Sequence, residues 1–191
     1  MTSPSRPSRG NKSPLSELAR AGMFTALAVG SGFALVLIPN VELITAVVFV
    51  SGVSLGAAWG VTVGLLSEFV FSTANPLGSG LVFLPLLVSQ LIGMGLVGFT
   101  GGLFRRIFNS KNWPMPKIIL IGATGAILTF VFDTLTTLSY PVAMGFEFRQ
   151  TVAIYVTGMG FTVLHQVSNA IIFATALPQV FRRTLAGKEG P

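Results

Sequence analysis

Three of the six acidic residues in this chain fall at or inside long apolar runs, where an ionised group is costly. They are Glu42, Glu68 and Asp133. The sole histidine, His165, also lies inside an apolar run. A carboxylate in such a position needs water, a partner or a ligand. These residue types could bind a polar solute, relay protons, or act as an acid and a base.

A larger polar set surrounds these acids and defines the candidate substrate-binding residues. Under the topology predicted below, most of them project toward the external half of a helical bundle, Gln90 lies below these, and His165 and Asn169 lie deeper still. Such a group could line an outward-facing, water-filled pocket. Glu68 and Asp133 are the best candidates, because they lie deeper in their spans than Glu42 and Glu147. The set comprises Asn40, Glu42, Glu68, Asn75, Gln90, Asp133, Tyr140, His165 and Asn169.

Structural explanations compete with binding for each of these residues. Polar side chains at helix ends can simply reach the lipid headgroups. His165, Gln166 and Asn169 could form interhelical hydrogen bonds, each contributing about 0.6 kcal/mol in a membrane. Taken singly, each residue is better explained by structure, whereas the group favours a pocket.

Catalytic and metal-binding signatures are absent from the sequence. It contains no H-E-x-x-H, no G-x-S-x-G and no G-x-x-x-x-G-K-[ST] motif. It has no cysteine and a single histidine, which excludes thiolate and multi-histidine metal sites. We therefore expect no catalytic residue, no metal and no cofactor, and we expect that the chain does not itself hydrolyse ATP through a phosphate-binding loop.

The composition is that of an integral membrane protein. Of the 191 residues, 51% are hydrophobic and 9% are charged, and the mean hydropathy is +0.77. Soluble domains carry about 25% charged residues. The net charge of +6 lies in the tails and loops, so we interpret it as a topology signal in a lipid bilayer and not as nucleic-acid binding.

The apolar runs predict an all-α bundle of six transmembrane helices. The residues Ser51 to Ser54 are expected to break the chain between the second and third spans. Trp113 is expected to anchor the chain at the membrane interface. The predicted spans are 15–38, 41–52, 55–73, 81–104, 117–138 and 149–180.

Three basic clusters predict a cytoplasmic N-terminus and C-terminus. They lie in the first 20 residues, in the loop from Arg105 to Lys117, and beyond Arg182. The predicted organisation is a disordered cytoplasmic tail at 1–14, a membrane domain at 15–183 and a cytoplasmic tail at 184–191.

The connection between the first two spans has its own signals. Pro39 predicts the end of the first span, and Asn40 is a suitable N-cap for the second. Glu42 is expected in the first turn of that second helix.

Small residues recur at four-residue spacing in the first span, at Gly22, Ala26 and Gly30. This spacing places them on one helix face, where another helix can approach closely. The face could pack within the chain or dock a different membrane protein.

The sequence resembles the S components of energy-coupling factor (ECF) transporters, which are their substrate-binding membrane subunits. The resemblance covers nearly the whole chain after the tail. The motifs that carry it are Ala19-Arg20-x-x-Met23-Phe24-Thr25-Ala26-Leu27, Ile38-Pro39-Asn40-Val41-Glu42-Leu43, Leu55-Gly56, Asn75-Pro76-Leu77-Gly78, and Gln90 through Val97-Gly98 to Gly101-Gly102.

This resemblance implies a six-helix subunit in a prokaryotic cell membrane that binds a vitamin or related micronutrient near the external surface. It implies a transmembrane coupling (T) subunit and two cytoplasmic ATPases as partners. The family's first helix carries an Ala-x-x-x-Ala motif that meets the coupling subunit. Gly22, Ala26 and Gly30 match it in size, which shifts the interpretation of this face toward docking.

Two other functions remain open. The chain could be a self-sufficient channel or secondary carrier whose intramembrane acids relay protons. It could also be an intramembrane enzyme using Asp133 or Glu68 as acid or base, although no paired catalytic motif supports this.

Overall fold

The computed structural model describes residues 14–78 and 80–186, and this part of the chain is all-helical, with no β-strand. The fold class predicted from the sequence is therefore confirmed. Seven α-helices and one short 3₁₀-helix (Gly80–Val82) form the bundle. The α-helices are α1 (Pro14–Leu35), α2 (Ile44–Leu55), α3 (Ala57–Ala74), α4 (Leu84–Leu103), α5 (Arg105–Phe108), α6 (Met115–Ala143) and α7 (Phe148–Ala186).

Helices α1, α2, α3, α4, α6 and α7 alternate in direction along the chain, which gives the bundle two different ends. We call one the polar end; it holds the α1–α2, α3–α4 and α6–α7 connections. We call the other the aromatic end; it holds the start of α1, the end of α7, and the α2–α3 and α4–α6 connections. Contacts such as Phe83 with Tyr140 at the polar end and Glu17 with Trp59 at the aromatic end follow from this arrangement.

Five helices, α1, α3, α4, α6 and α7, are long and apolar enough to cross a membrane, as in a multi-pass membrane protein. The sequence predicted six spans, but α2 has only 12 residues. At 1.5 Å per residue it covers about 18 Å, against about 30 Å for a bilayer core. Ten of its residues are buried, so α2 is the central helix of the bundle.

Glycines let α2, α3 and α4 touch backbone to backbone. A Cβ added at Gly52 would overlap the carbonyl oxygen of Gly98, and one added at Gly98 would overlap that of Gly60. No side chain fits in these contacts, which is how small residues pack membrane helices.

The break between α2 and α3 lies at Gly56 and not at Ser51 to Ser54, as the sequence had predicted. Ser51 keeps its hydroxyl inside the helix by donating to the Val48 carbonyl at 2.7 Å, so it does not disrupt the backbone. Gly56 has φ +103°, a conformation that side chains disfavour. The turn from α2 into α3 therefore depends on this glycine.

Stacked aromatic rings fill the aromatic end. Trp113 lies between Phe108 and Phe181, with ring centroids 5.9 Å and 5.7 Å away and planes within 8°. Its indole N–H donates to the Ser110 carbonyl at 2.7 Å. Trp113 is only 5% exposed, so the prediction of an interfacial anchor was wrong. Packing against α7 draws the ring into the core.

The small-residue stripe of helix α1 (Gly22, Ala26 and Gly30) lies outside the buried face of that helix. All three residues are exposed, and a Cβ added at Gly22 or Gly30 would meet no atom within 4 Å. The buried face of α1 carries a different set: Ala21, Ala28 and Gly32. The stripe therefore contributes nothing to packing among the described residues.

Side chains of α1 and α3 flank an apolar groove of about 460 Å³ beside this stripe. Gly22 and Ala26 line it from α1, and Trp59 and Leu66 line it from α3. The indole of Trp59 also donates to the Glu17 carboxylate at 3.1 Å, tying the two helices together at one end.

The domain boundaries shift slightly from those predicted. The helical bundle begins at Pro14 and continues to Ala186, so residues 184–186 belong to α7. The remaining residues of the predicted tails, 1–13 of the tail at 1–14 and 187–191 of the tail at 184–191, lie outside the described residues.

Candidate functional site

A cavity of about 230 Å³ opens at the polar end of the bundle. Its walls come from the α1–α2 connection and from α1, α2, α3, α4, α6 and α7, together with the start of the α3–α4 connection. Six of the nine candidate residues line it: Asn40, Glu42, Glu68, Asn75, Gln90 and His165. Side chains that are far apart in sequence are thus gathered around one space.

Asp133 and Asn169 lie directly behind this wall. Asp133 Oδ1 is 2.8 Å from His165 Nδ1, and His165 Nε2 is 3.6 Å from Glu42 Oε1. The side-chain amide of Asn169 donates to the same Glu42 oxygen at 3.0 Å. The result is a row of alternating groups, Asp133–His165–Glu42, which crosses from α6 through α7 to the α1–α2 connection.

Glu42 lies just before α2, outside the spanning helices. Its Oε2 accepts the backbone N–H of Thr45 at 2.9 Å, which satisfies a free donor at the start of α2 and places the negative charge at the positive end of the helix. Burial alone would raise the pKa of Glu42, but His165 and Thr45 outweigh it and lower that pKa below its usual value. This carboxylate is therefore ionised at neutral pH.

The α1–α2 connection is held against α7 by its backbone. Asn40 adopts φ +56°, the left-handed conformation that asparagine tolerates better than most residues. Its carbonyl oxygen accepts the Ser168 hydroxyl at 2.7 Å. The predicted N-cap role of Asn40 was wrong, because α2 begins four residues later at Ile44 and Glu42 provides the capping hydrogen bond.

Glu68 enters the cavity from α3, six residues before that helix ends. That places it about 9 Å below the helix end. The residue is 3% exposed. Among the described residues its carboxylate has neither a hydrogen-bond partner nor a cation paired with it, and Glu42, which lines the same cavity, carries a like charge.

Gln90 and Asn75 line the cavity with partners already in place. The Ser72 hydroxyl donates to Gln90 Oε1 at 2.7 Å, and the backbone N–H of Leu77 donates to Asn75 Oδ1 at 2.9 Å. The second bond stabilises a turn within the α3–α4 connection. The amide groups of both residues keep donors for further contacts.

Tyr140 does not belong to this cavity. It lies two turns beyond Asp133 on α6, about 10 Å further toward the helix end, and is 50% exposed. Its ring packs against Phe83 at 5.7 Å and Phe146 at 5.6 Å. The polar residues Glu147 and Arg149 are also exposed at this end and outside the cavity.

No motif in the sequence marked the apolar walls of the cavity. Phe71, Met94 and Phe132 line the cavity, and the ring of Phe132 meets the His165 imidazole edge-on at 6.4 Å. Nothing distinguished them from other apolar residues, because the burial of a given helix face depends on how the helices rotate against one another.

Several buried polar atoms in and beside the site have no hydrogen-bond partner among the described residues. They include His165 Nε2, Asp133 Oδ2 and Asn169 Oδ1, and His165 and Asn169 are 8% and 0% exposed. Buried polar groups are nearly always satisfied. Their concentration here is typical of a site that a ligand or water completes.

The arrangement is suited to binding. It offers carboxylate, imidazole and amide groups on one side and aromatic and aliphatic walls on the other. No group of three or more His, Cys, Asp or Glu side chains in the described ranges could hold a metal ion. No family model, curated protein or solved structure matched this chain.

Proposed function

We propose that this chain is the substrate-binding membrane subunit of an ECF-type importer, and that it captures a vitamin or related micronutrient. The polar end would face the exterior, with both termini in the cytoplasm of a prokaryotic cell. Transport would depend on a membrane coupling subunit and two cytoplasmic ATPases.

The observation that carries this proposal is the cavity at the polar end. It is a small, pre-formed space with unpartnered polar atoms behind it, inside a bundle whose outer surface is apolar. Small-molecule sites have this character, with a few placed polar groups on an apolar lining. The sequence contains no phosphate-binding loop that would let the chain use ATP itself.

The α1 stripe supports the partner subunits in this proposal. A face of small residues that the chain does not pack against itself allows a foreign helix to approach closely. Gly22, Ala26 and Gly30 are all available for such a contact, next to the groove between α1 and α3.

Native mass spectrometry of the tagged chain, gently extracted from its own host, is the first test. We expect a bound small molecule, identified by its mass, and co-purification of a second membrane subunit with ATPases. Uptake of that compound is then measured in cells that carry the chain with Gly22, Ala26 and Gly30 all replaced by Leu.

The triple variant should lose ATP-dependent uptake while retaining ligand binding. Gly160→Leu is the matched control, because Gly160 is also exposed and has open space around it, but lies on α7. Unimpaired uptake in the triple variant would reject the docking role of the stripe. A chain that purifies with neither ligand nor partners, even when extracted in native lipid discs, would reject the transporter subunit.

A self-sufficient secondary carrier is the second candidate, and the Asp133–His165–Glu42 row favours it. Three titratable groups in sequence can pass a proton, and the two distances along this row are 2.8 Å and 3.6 Å. Uptake of the identified compound by liposomes containing this chain alone, abolished by a protonophore, would support the carrier over the transporter subunit.

A further inference from the structure

We propose that the ligand of this cavity is a compact organic cation, a protonated amine or nitrogen heterocycle with an apolar body, whose charge is neutralised by Glu68. This inference rests on the proposed role of the cavity as the substrate site. It adds the charge and size of the substrate.

The charged groups at the polar end are mainly acidic. Three acids, Glu42, Glu68 and Asp133, are gathered there with a single imidazole, His165. Neither lysine nor arginine lines the described cavity. Even with a protonated imidazole, the group would carry an excess of negative charge if all three acids were ionised.

The three acids differ in whether their carboxylates have a polar partner. Asp133 contacts His165, and Glu42 accepts hydrogen bonds from Thr45 and Asn169. Glu68 has no such bond within the described part of the chain, although it is almost entirely buried and lines the cavity. An unpaired carboxylate at this depth is costly, and a cation bound in the cavity removes that cost.

The aromatic and aliphatic lining of the cavity also suits an organic cation. The rings of Phe71 and Phe132 and the flexible side chain of Met94 border the same space. Aromatic faces attract cations and also accept apolar rings. His165 Nε2, which has no hydrogen-bond partner in the described chain, offers a second polar contact.

The cavity volume limits the size of the ligand. At about 230 Å³, it lies below the roughly 300–1,000 Å³ of sites for drug-sized molecules. A single ring with a short side chain fits this space, whereas a large macrocycle does not.

The test compares three matched probes on the full chain in lipid nanodiscs at neutral pH, using isothermal titration calorimetry. The probes are 2-phenylethylamine, 2-phenylethanol and phenylacetate, which share a ring and differ in charge. We expect the amine to bind about tenfold more tightly than the alcohol, and phenylacetate not to bind, because charge-assisted hydrogen bonds are the stronger ones.

Glu68→Gln should remove this preference, since it keeps the size of the side chain and deletes its charge. Glu147→Gln is the matched control, because Glu147 is exposed at the same end of the bundle, and it should bind like the unaltered chain. Equal or tighter binding of the alcohol or phenylacetate, binding of no probe, or an amine preference that survives Glu68→Gln would each overturn the inference.

The comparison of probes on the unaltered chain remains decisive even if the Glu68 variant does not fold. The result also separates the two proposals. Selectivity for the amine in a chain that never joins a coupling subunit would retain the cationic ligand and reject the transporter. ATP-dependent uptake of a neutral or anionic compound would support the transporter subunit and reject the cationic ligand.

Discussion

The two ends of the bundle differ in the kind of side chain that they enclose. At the aromatic end, Phe108, Trp113 and Phe181 stack on one another, and the one polar atom among their rings, the indole nitrogen, is hydrogen-bonded. At the polar end, Glu68 and His165 are buried, Glu42 and Asp133 are half-buried, and several polar atoms are unpaired. The stacked rings of the aromatic end leave no polar atom unpaired among themselves, whereas the polar end offers unpaired polar atoms to a further molecule.

The difference shows where stability and specificity reside. Close packing of apolar rings stabilises a fold but recognises nothing. Buried polar groups contribute little to folding, yet an unsatisfied one discriminates strongly between molecules that can and cannot pair with it. Substitutions at the two ends should therefore separate these two properties.

The largest effect on stability is expected at the aromatic end. Trp113→Ala removes the ring between Phe108 and Phe181 and should lower the free energy of unfolding by about 3 kcal/mol or more. The measurement is unfolding by sodium dodecyl sulfate in mixed micelles, followed by circular dichroism. Ile119→Ala is the control, because Ile119 is a lipid-facing residue at 63% exposure. A loss no larger than that of the control would contradict the structural role of this end.

A smaller effect on stability, with a large effect on binding, is expected at the polar end. Asp133→Asn keeps an oxygen that can accept from the His165 ring but removes the charge that strengthens this hydrogen bond, and it should lower the free energy of unfolding by about 1 kcal/mol. Binding of the compound found by native mass spectrometry should weaken about tenfold, because a neutral partner holds the imidazole less firmly in its orientation. A stability loss as large as that of Trp113→Ala, with binding unchanged, would reverse the contrast between the ends.

The smallest effect is expected where the α1–α2 connection meets α7. Ser168→Ala removes the hydroxyl that donates to the Asn40 carbonyl and should cost about 0.6 kcal/mol. Hydrogen exchange of the backbone amides in residues 36–43 should become faster. Ser89→Ala is the control, since the Ser89 hydroxyl bonds only to its own helix at Pro85. Unchanged exchange would mean that Ser168 does not hold this connection.

The sequence predicted the positions of the long apolar helices. Whether a segment can lie in lipid depends on its own amino-acid composition, which can be read directly along the chain. The five long helices begin and end within about five residues of the predicted spans, apart from the C-terminal end of α7. The length of α2 was predicted correctly as short, but its break was misplaced. A serine hydroxyl inside a helix can donate to a backbone carbonyl of the same helix, so it does not end the helix. Gly56 was therefore the stronger indication of the break between α2 and α3.

The sequence also predicted part of the candidate site. Glu68, Asp133 and His165 stood out because each is a costly residue in an apolar run, and the structure brings all three to one end. Tyr140 and Trp113 were misplaced, because their positions depend on contacts with distant helices. Phe71 and Phe132 were missed, since nothing local marks which apolar side chain faces a cavity.

The groove between α1 and α3 has a consequence for how this molecule meets other proteins. In a bilayer, acyl chains fill such an apolar space of about 460 Å³. A protein helix that enters it exchanges one apolar contact for another and gains little from the exclusion of water. The affinity of such a helix would come from closeness of fit, and because lipid competes for the same space, binding in the groove would depend on the composition of the membrane.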